Sequence, residues 1–109
     1  ATSEKVGMGW FLDGRVTAVV GTHTHVPTAD ARILPGGTAY ITDVGMTGPR
    51  GGVIGVRKEQ AIESLRTHMS VRFDTSDDDP WLMGVIVRCA PQPRRAESIE
   101  QLLMPWTGG

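Results

Sequence analysis

The sequence predicts an α/β protein, and three features of the chain lead to that prediction. An apolar segment with helical character over residues 4–13 is followed directly by a short β-branched run over 15–20. A second, amphipathic helix is predicted over residues 58–69, and the clearest strand pattern of the C-terminal part follows over 81–89. Helices that alternate with strands along a chain are typical of α/β architectures.

The first helix is predicted to begin after Ser3, a residue type that caps helix N-termini, and to end at Gly14. Trp10 and Phe11 help to make this helix apolar over much of its circumference, so we expect it to be covered on more than one face. The run from Arg15 to Val20 lacks polar alternation and therefore predicts a buried strand.

The middle of the chain predicts a hairpin, with strands over 32–34 and 38–42 around the turn at Pro35–Gly37. Asp43 ends the second of these strands. Four glycines and a proline then occupy residues 45–52, a composition that predicts a loop without regular structure.

The C-terminal part predicts one helix and two or three strands. The helix over 58–69 places four apolar side chains on one face, namely Ala61, Ile62, Leu65 and Met69. Val71 and Phe73 alternate with polar residues as a strand would, and residues 74–80 form a polar, acidic turn. The last segment, 96–103, is compatible with a helix or with a strand that pairs with 81–89, and we favour the strand.

Size and composition restrict the function classes. At 109 residues, the chain is at most one small domain over 1–109. A net charge of −1 supplies no basic field for duplex nucleic acid, and the apolar runs are too short to span a membrane. Cys89 is the only cysteine, which predicts an inert buried thiol in a reducing, cytoplasmic protein.

Two histidines carry the strongest chemical signal. His23 and His25 lie two residues apart in Gly-Thr-His-Thr-His, directly after the predicted strand. Alternate residues of an extended segment point to the same side, and neutral imidazole binds zinc, manganese and iron. The pair is therefore a candidate metal-ligand pair, although His-x-His also occurs on surfaces without a function. A catalytic metal site normally needs a third ligand, and the sequence shows no obvious one.

Other polar positions have weaker alternatives. Asp43 stands at the end of a strand, where it is equally compatible with a substrate-binding position and with a turn cap. The loop that begins at Gly45 either cradles a phosphate with its backbone amides or is a flexible connection. His68 is expected at a helix C-terminus, where a cation is favourable, and the acidic run 77–79 is expected to be a solvated turn.

Several longer strings resemble one bacterial family, the YmdB-like metallophosphoesterases. The similarity is dense from Ala1 to about Ile54 and is weaker beyond Val56. The strings that carry it are Ala1-Thr2-Ser3-Glu4-Lys5, Leu12-Asp13-Gly14-Arg15-Val16, Val19-Val20-Gly21-Thr22-His23-Thr24-His25-Val26, Thr28-Ala29-Asp30, Ile33-Leu34-Pro35-Gly36-Gly37-Thr38-Ala39-Tyr40 and Ile41-Thr42-Asp43-Val44-Gly45-Met46-Thr47-Gly48-Pro49.

The resemblance implies a four-layer α/β/β/α metallophosphatase sandwich with two divalent transition-metal ions, which are Mn, Fe or Zn. It implies hydrolysis of phosphoesters such as 2′,3′-cyclic nucleotides, with His23 and His25 each as a ligand to one metal ion. Such an ion pair lowers the pKa of a bridging water and stabilises the phosphoryl oxygens during displacement. The remaining metal ligands of the family and its catalytic histidine would precede Ala1, so the resemblance gives this chain no catalytic residue.

We therefore expect the C-terminal part of a dinuclear phosphodiesterase, inactive alone and binding at most one metal ion weakly. Its expected partner is the missing N-terminal part of the domain or a second copy of the chain. The alternative is a non-enzymatic module that has kept the fold and uses it for self-association.

Overall fold

The computed structural model describes residues 1–107 and confirms the mixed α/β class. The chain forms two helices and two three-stranded sheets. In chain order the elements are α1 (Thr2–Leu12), β1 (Ala18–Val20), β2 (Arg32–Ile33), β3 (Ala39–Ile41), β4 (Gly48–Pro49), α2 (Lys58–Thr67), β5 (Pro80–Cys89) and β6 (Ala96–Pro105).

The first sheet has the order β1-β3-β2, in which β3 pairs parallel with β1 and antiparallel with β2. The predicted hairpin is confirmed, because the Leu34 amide donates to the Thr38 carbonyl across the turn, at 2.8 Å. The parallel pairing places the ends of β1 and β3 side by side. The loop that follows β1 and the residues that follow β3 therefore emerge at the same edge of the sheet.

Helix α1 begins earlier than the sequence predicts. The Lys5 amide donates to the Ala1 carbonyl at 3.1 Å, so Ala1 is the N-cap residue and Ser3 lies inside the first turn. The prediction that Ser3 caps the helix is therefore wrong. At the other end, α1 stops at Leu12, and Gly14 adopts a positive φ of 81° that lets the chain turn away.

The second sheet is antiparallel with the order β4-β5-β6. Strands β5 and β6 form a long hairpin of ten residues each, which confirms the strand predicted over 81–89 and the strand alternative for 96–103. The loop predicted over 45–52 contains the two-residue strand β4, because Gly48 and Pro49 pair with the start of β5.

Helix α2 is confirmed and ends with His68 as its C-cap, in the left-handed conformation with φ 56°. The strand predicted around Val71 and Phe73 is wrong: residues 71–74 have no strand partner. Although its residues alternate, this segment has no neighbouring strand to pair with. The nearest pairing is an isolated bridge between Val56 and Thr75.

Burial is lower than the sequence predicts. The apolar residues buried among 1–107 are Leu34, Ala39, Tyr40, Ile41, Ala61 and Ala96. The buried-strand prediction for β1 is wrong, since its residues are half-buried and Val20 is 51% exposed. The buried-thiol prediction is wrong as well, because Cys89 is exposed at the end of β5. In both places the described chain offers no second layer to cover the strand.

The flat shape of the described chain also reflects the absence of a second layer. Its extents are 52 × 36 × 16 Å, so it is a slab with one thin dimension. Its radius of gyration is 17.0 Å, whereas a compact chain of this length would have about 13 Å. Large apolar side chains on α1 (Met8, Trp10, Phe11) and α2 (Ile62, Leu65) are exposed. None of the helices within residues 1–107 is long and apolar enough to cross a bilayer.

Candidate metal-binding site

The candidate ligands lie in the histidine loop, residues 21–27, which follows β1 directly. Two backbone hydrogen bonds fix its start: the Gly21 amide donates to the Ile41 carbonyl at 3.1 Å, and the Val44 amide donates to the Gly21 carbonyl at 2.9 Å. A Cβ atom on Gly21 would collide with the carbonyl oxygen of Thr42. Glycine is therefore required here because the two chain segments approach so closely.

Both histidines are exposed and both have a strained backbone. His23 has a φ of 114° and His25 a φ of 68°. Residues with a side chain rarely adopt positive φ, and such strain persists only where surrounding contacts enforce it. The loop therefore needs anchoring interactions, and the structure supplies three of them.

The first anchor is Asp43, which lies just beyond β3 and is fully buried. Its Oδ2 atom accepts two hydrogen bonds from Thr24, one from the backbone amide at 2.9 Å and one from the hydroxyl at 2.7 Å. Thr24 is the residue between the two histidines. One carboxylate thus holds the loop at its centre and leaves the imidazoles on either side facing outward.

The second anchor is Lys5 of α1. Its ammonium group donates to the Thr22 carbonyl at 2.6 Å and lies 3.6 Å from Asp43 Oδ2. The lysine is about three-quarters buried in this contact, so it is screened less than a surface ion pair. Lys5 therefore ties the first helix to the histidine loop and to the carboxylate behind it.

The pKa of Asp43 reflects this environment. Burial acts to raise the pKa of its carboxyl group, but hydrogen bonds from the Thr24 hydroxyl and from the Gly45 and Thr24 amides, together with the Lys5 charge, outweigh burial and lower it. Asp43 therefore remains ionised over the neutral range and acts as a fixed negative charge beneath the loop.

The third anchor fixes a ring orientation. Nδ1 of His25 lies 2.9 Å from the carbonyl oxygen of Ile54. Because a carbonyl oxygen only accepts, Nδ1 carries the proton, and the lone pair of a neutral ring is on Nε2. A backbone carbonyl that holds one ring nitrogen is the usual support for a metal-ligating histidine. The arrangement presents His25 Nε2 as the potential ligand atom.

The other sequence candidates have different positions. Gly45 has a φ of 89° and its amide donates to Asp43 Oδ1 at 2.9 Å, so this N–H is used inside the loop junction. His68 caps α2. Within the acidic run, Asp78 lies 3.7 Å from the ammonium of Lys58, and Asp79 accepts from the indole of Trp81.

The donor set is incomplete for a dinuclear centre. Among residues 1–107, no group of three His, Cys, Asp or Glu side chains is placed to hold a metal ion. Asp43 is not available as a third ligand without loss of the loop anchor, since both of its oxygens accept hydrogen bonds. Two imidazoles fit part of such a centre, and its remaining ligands would have to come from outside the described chain.

The sequence did not reveal the anchors. Asp43, Lys5 and the Ile54 carbonyl meet the loop only in three dimensions, from positions up to 29 residues away along the chain. The available signal was a lysine that directly precedes the apolar part of α1, since a charged residue needs a charged or polar partner when it is covered.

Comparison with known proteins agrees with this architecture. The family model of the YmdB-like proteins matches residues 1–102. The 2′,3′-cyclic-nucleotide 2′-phosphodiesterase of Bacillus subtilis is 53% identical over 104 residues, covering 95% of this chain and 39% of that protein. A Mycoplasma genitalium protein, provisionally named a phosphatase/phosphodiesterase, is 44% identical over 93% of this chain and 36% of its own length.

Two solved structures have the same fold over nearly the whole chain. A phosphatase from Mycoplasma pneumoniae superposes with a TM-score of 0.90 at 42% identity, covering 96% of this chain and 38% of its own. A protein from Thermus thermophilus superposes with a TM-score of 0.89 at 38% identity, covering 96% of this chain and 41% of its own.

These relatives define the class as proteins related to phosphodiesterases and phosphatases. The chain belongs to the YmdB-like family. It spans about two-fifths of the length of the relatives that it matches.

Proposed function

We propose that this chain is the part of a metal-dependent phosphoester hydrolase that supplies two imidazole ligands, His23 and His25. The observation that carries the proposal is the anchored histidine loop. A buried carboxylate, a largely buried ammonium and a backbone carbonyl hold an exposed, strained His-Thr-His segment in one conformation. A surface His-x-His without a function has no need of this support.

The rest of the site is proposed to come from the part of the protein that this chain does not cover. The chain spans 39% of the phosphodiesterase from B. subtilis, and the described residues contain two candidate donors where a catalytic metal site needs at least three. The same missing part would complete the four-layer sandwich over the exposed helices and β1. Alone, the chain is proposed to be inactive and to bind at most one ion weakly.

The chemistry of the complete site is proposed to be hydrolysis of phosphoesters such as 2′,3′-cyclic nucleotides, as the name of the B. subtilis relative states for that protein. A divalent Mn, Fe or Zn pair would supply charge stabilisation for the phosphoryl oxygens. The residues of this chain hold the two imidazoles in place. Asp43 holds the loop through Thr24, Lys5 holds it through the Thr22 carbonyl, and the Ile54 carbonyl keeps the proton on His25 Nδ1. The lone thiol of Cys89 fits a reducing, cytoplasmic compartment.

A second candidate function is a non-enzymatic, self-associating module. The observation that favours it is the 16 Å slab with apolar side chains exposed on both helices. A surface of this kind is typical of a partner interface. A second copy would cover the slab but would not add the further metal ligands that hydrolysis needs. The two candidate functions therefore differ in whether the assembled protein binds metal and hydrolyses a substrate.

A complementation experiment separates the two functions. The chain is mixed with the part of the B. subtilis relative that it does not cover, and hydrolysis of bis-p-nitrophenyl phosphate is followed with and without Mn²⁺. Metal-dependent activity that appears only in the mixture, and is lost with His23→Ala or His25→Ala, supports the enzyme. The matched control is His68→Asn, which removes the third histidine outside the loop and should keep the activity.

The result that overturns the enzyme proposal is a folded, stoichiometric complex of the two parts without hydrolysis in the presence of Mn²⁺, Zn²⁺ or Fe²⁺. Equal activity of the wild-type and His23→Ala/His25→Ala mixtures would overturn the assignment of the ligands.

A further inference from the structure

A cavity of about 270 Å³ opens directly beside His25. Its walls come from the histidine loop, from residues 46–54 and from strands β5 and β6. Backbone hydrogen bonds hold these walls together: the Arg50 and Gly51 amides donate to the carbonyls of Asp79 and Asp78 at 2.8 and 2.9 Å. The cavity is therefore formed by paired segments.

The lining is mostly apolar, and its one permanently charged side chain is a positive arginine. The side chains of Met46, Trp81 and Met83 line it, whereas the lining includes no aspartate or glutamate. Its charged or ionisable side chains are Arg50 and His25. Within residues 1–107, Arg50 forms no ion pair with a carboxylate. A ligand that fits this cavity has an apolar body and a negative charge.

Two planar groups of the lining, those of Arg50 and Trp81, contact each other. The guanidinium carbon of Arg50 lies 4.4 Å from the centre of the Trp81 ring, in a cation–π contact. The indole nitrogen of Trp81 donates to Asp79 Oδ1 at 3.0 Å, which fixes the plane of the ring. Aromatic rings and guanidinium planes are the surfaces on which proteins stack nucleobases.

The size of the cavity restricts the ligand further. Pockets for small ligands usually measure about 300–1,000 Å³, so 270 Å³ accommodates one ring system with part of a sugar. Because His25 also lines the cavity, a ligand with its ring against Trp81 can place its remaining polar part beside the histidine loop.

We propose that this cavity is the base-binding subsite, which takes the planar ring of a nucleoside phosphate and places the phosphate near His25. Arg50 and Trp81 are the specificity-determining residues: they favour a planar ring attached to a phosphate. The placement of the phosphate towards His25 rests on the proposed function. It goes beyond that function because it assigns recognition of the base to named residues within this chain.

The test uses binding to the full chain and needs no hydrolysis. Indole N–H and methionine methyl NMR signals are followed as adenosine 3′-monophosphate is added, with the Trp81 signal assigned from Trp81→Phe. The signals of Trp81, Met46 and Met83 should shift together, while those of Trp10 and Trp106 stay in place. Ribose 5-phosphate keeps the phosphate and lacks the ring, so it should bind at least fivefold more weakly.

Variants test the two specificity residues. Arg50→Ala should weaken binding of the nucleotide at least fivefold, and Arg50→Lys should recover only part of it, because lysine restores the charge without the planar group. The matched control is Arg32→Ala, which removes an arginine stacked on Trp10 and should leave the affinity unchanged. Unaltered binding by Arg50→Ala, or equal binding of ribose 5-phosphate, would overturn the subsite.

The subsite and the proposed function fail in different ways. Zn²⁺ binding that depends on His23 and His25, combined with no nucleotide-induced shift at Trp81, would overturn the subsite and leave the metal-ligand proposal standing. Nucleotide binding at Trp81 in a chain whose histidines bind no metal, even after complementation, would support the subsite and overturn the hydrolase.

Discussion

Asp43 accepts two hydrogen bonds from Thr24, the residue between the two candidate metal ligands. The Thr24 amide donates at 2.9 Å and its hydroxyl at 2.7 Å. The carboxylate has no exposed surface, so it would act on a metal ion through the position of the loop and through its charge, without being a ligand itself. A buried carboxylate thus fixes the position of the loop that carries the two candidate ligands.

The first prediction follows from that contact. Asp43→Asn keeps the shape of the side chain but removes its charge, and one of its terminal atoms becomes a donor facing a donor. We expect about 2–3 kcal/mol of destabilisation, the usual cost of losing buried hydrogen bonds to a charged group. We also expect at least threefold weaker Zn²⁺ binding, measured by calorimetry alongside urea unfolding.

The control for this prediction is Asp30→Asn. Asp30 accepts hydrogen bonds from Thr42 and Thr28 and has no bond to the histidine loop. This variant should lose stability while Zn²⁺ affinity stays within twofold of the wild type. Equal losses of affinity in the two variants would show that Asp43 acts through general stability alone.

The sequence predicted the elements better than the burial. Helix α1 follows from its apolar composition and the glycine after it, α2 from its periodicity and β5 from its strand pattern, which are all local features; for β6 the sequence left a helix open as the alternative. The exposure of Val20 and Cys89 could not be predicted in this way. The apolar character of a strand shows which residues it could bury, but it does not show whether another layer of the protein covers them.

The same distinction applies to the candidate site. His23 and His25 were found from their spacing, a local feature. Lys5 lies 17 residues from Thr22, and Ile54 lies 29 residues from His25. Lys5 reaches the loop because α1 packs against β1, and Ile54 reaches it because the chain returns past the loop after β4. A role of this kind depends on tertiary structure.

The second prediction compares alanine substitutions at two glycines, Gly21 and Gly7. In Gly21→Ala the new methyl group would collide with the carbonyl of Thr42, which belongs to the backbone and cannot move aside. We expect at least about 3 kcal/mol of destabilisation, in the range of severe core substitutions. In Gly7→Ala, inside α1, the methyl group meets no atom within 4 Å, and helix propensity predicts a gain of about 0.5–1 kcal/mol.

Thermal and urea unfolding of the two alanine variants should therefore shift in opposite directions. A Gly21→Ala chain with wild-type stability would show that the two segments do not approach as closely as the structure has them.

The third prediction concerns acid stability. For Asp30, burial acts to raise the pKa, while hydrogen bonds from the Thr42 and Thr28 hydroxyls and the Thr42 amide outweigh it; the pKa of Asp43 is lowered in a similar way. Just below the ordinary value of 3.8, the unfolded chain therefore binds more protons than the folded one. Stability from these groups is present above that value and is lost as the pH falls through the lower, folded-state pKa.

Urea unfolding between pH 7 and pH 2.5 measures this dependence. The wild type should lose more free energy of unfolding below pH 4 than the Asp30→Asn/Asp43→Asn variant, whose curve should be flatter though lower at pH 7. Parallel curves for the two proteins would contradict the lowered pKa values.

The last prediction concerns the exposed face of α1. Phe11 is 63% exposed and Met8 51% exposed, in a slab only 16 Å thick. Covering about 1,000 Å² of apolar surface is worth roughly 25 kcal/mol before the costs of association. A net charge of −1 offers little repulsion to oppose it. We therefore expect the chain to self-associate at micromolar concentrations or to bind the region of its relatives that it does not cover.

Sedimentation equilibrium on Met8→Lys and Phe11→Lys tests this face. Burial of one large apolar side chain contributes about 1.5–3 kcal/mol, so each variant should weaken self-association roughly tenfold or more. Glu97→Lys, an exposed charge reversal in β6, serves as the control for added positive charge. Association of Phe11→Lys at the wild-type constant would exclude α1 from the interface, and a monomeric wild-type chain at 100-fold higher concentration would contradict self-association. If the monomeric chain instead binds the region of a relative that it does not cover, and Phe11→Lys weakens that binding, α1 lies in that interface.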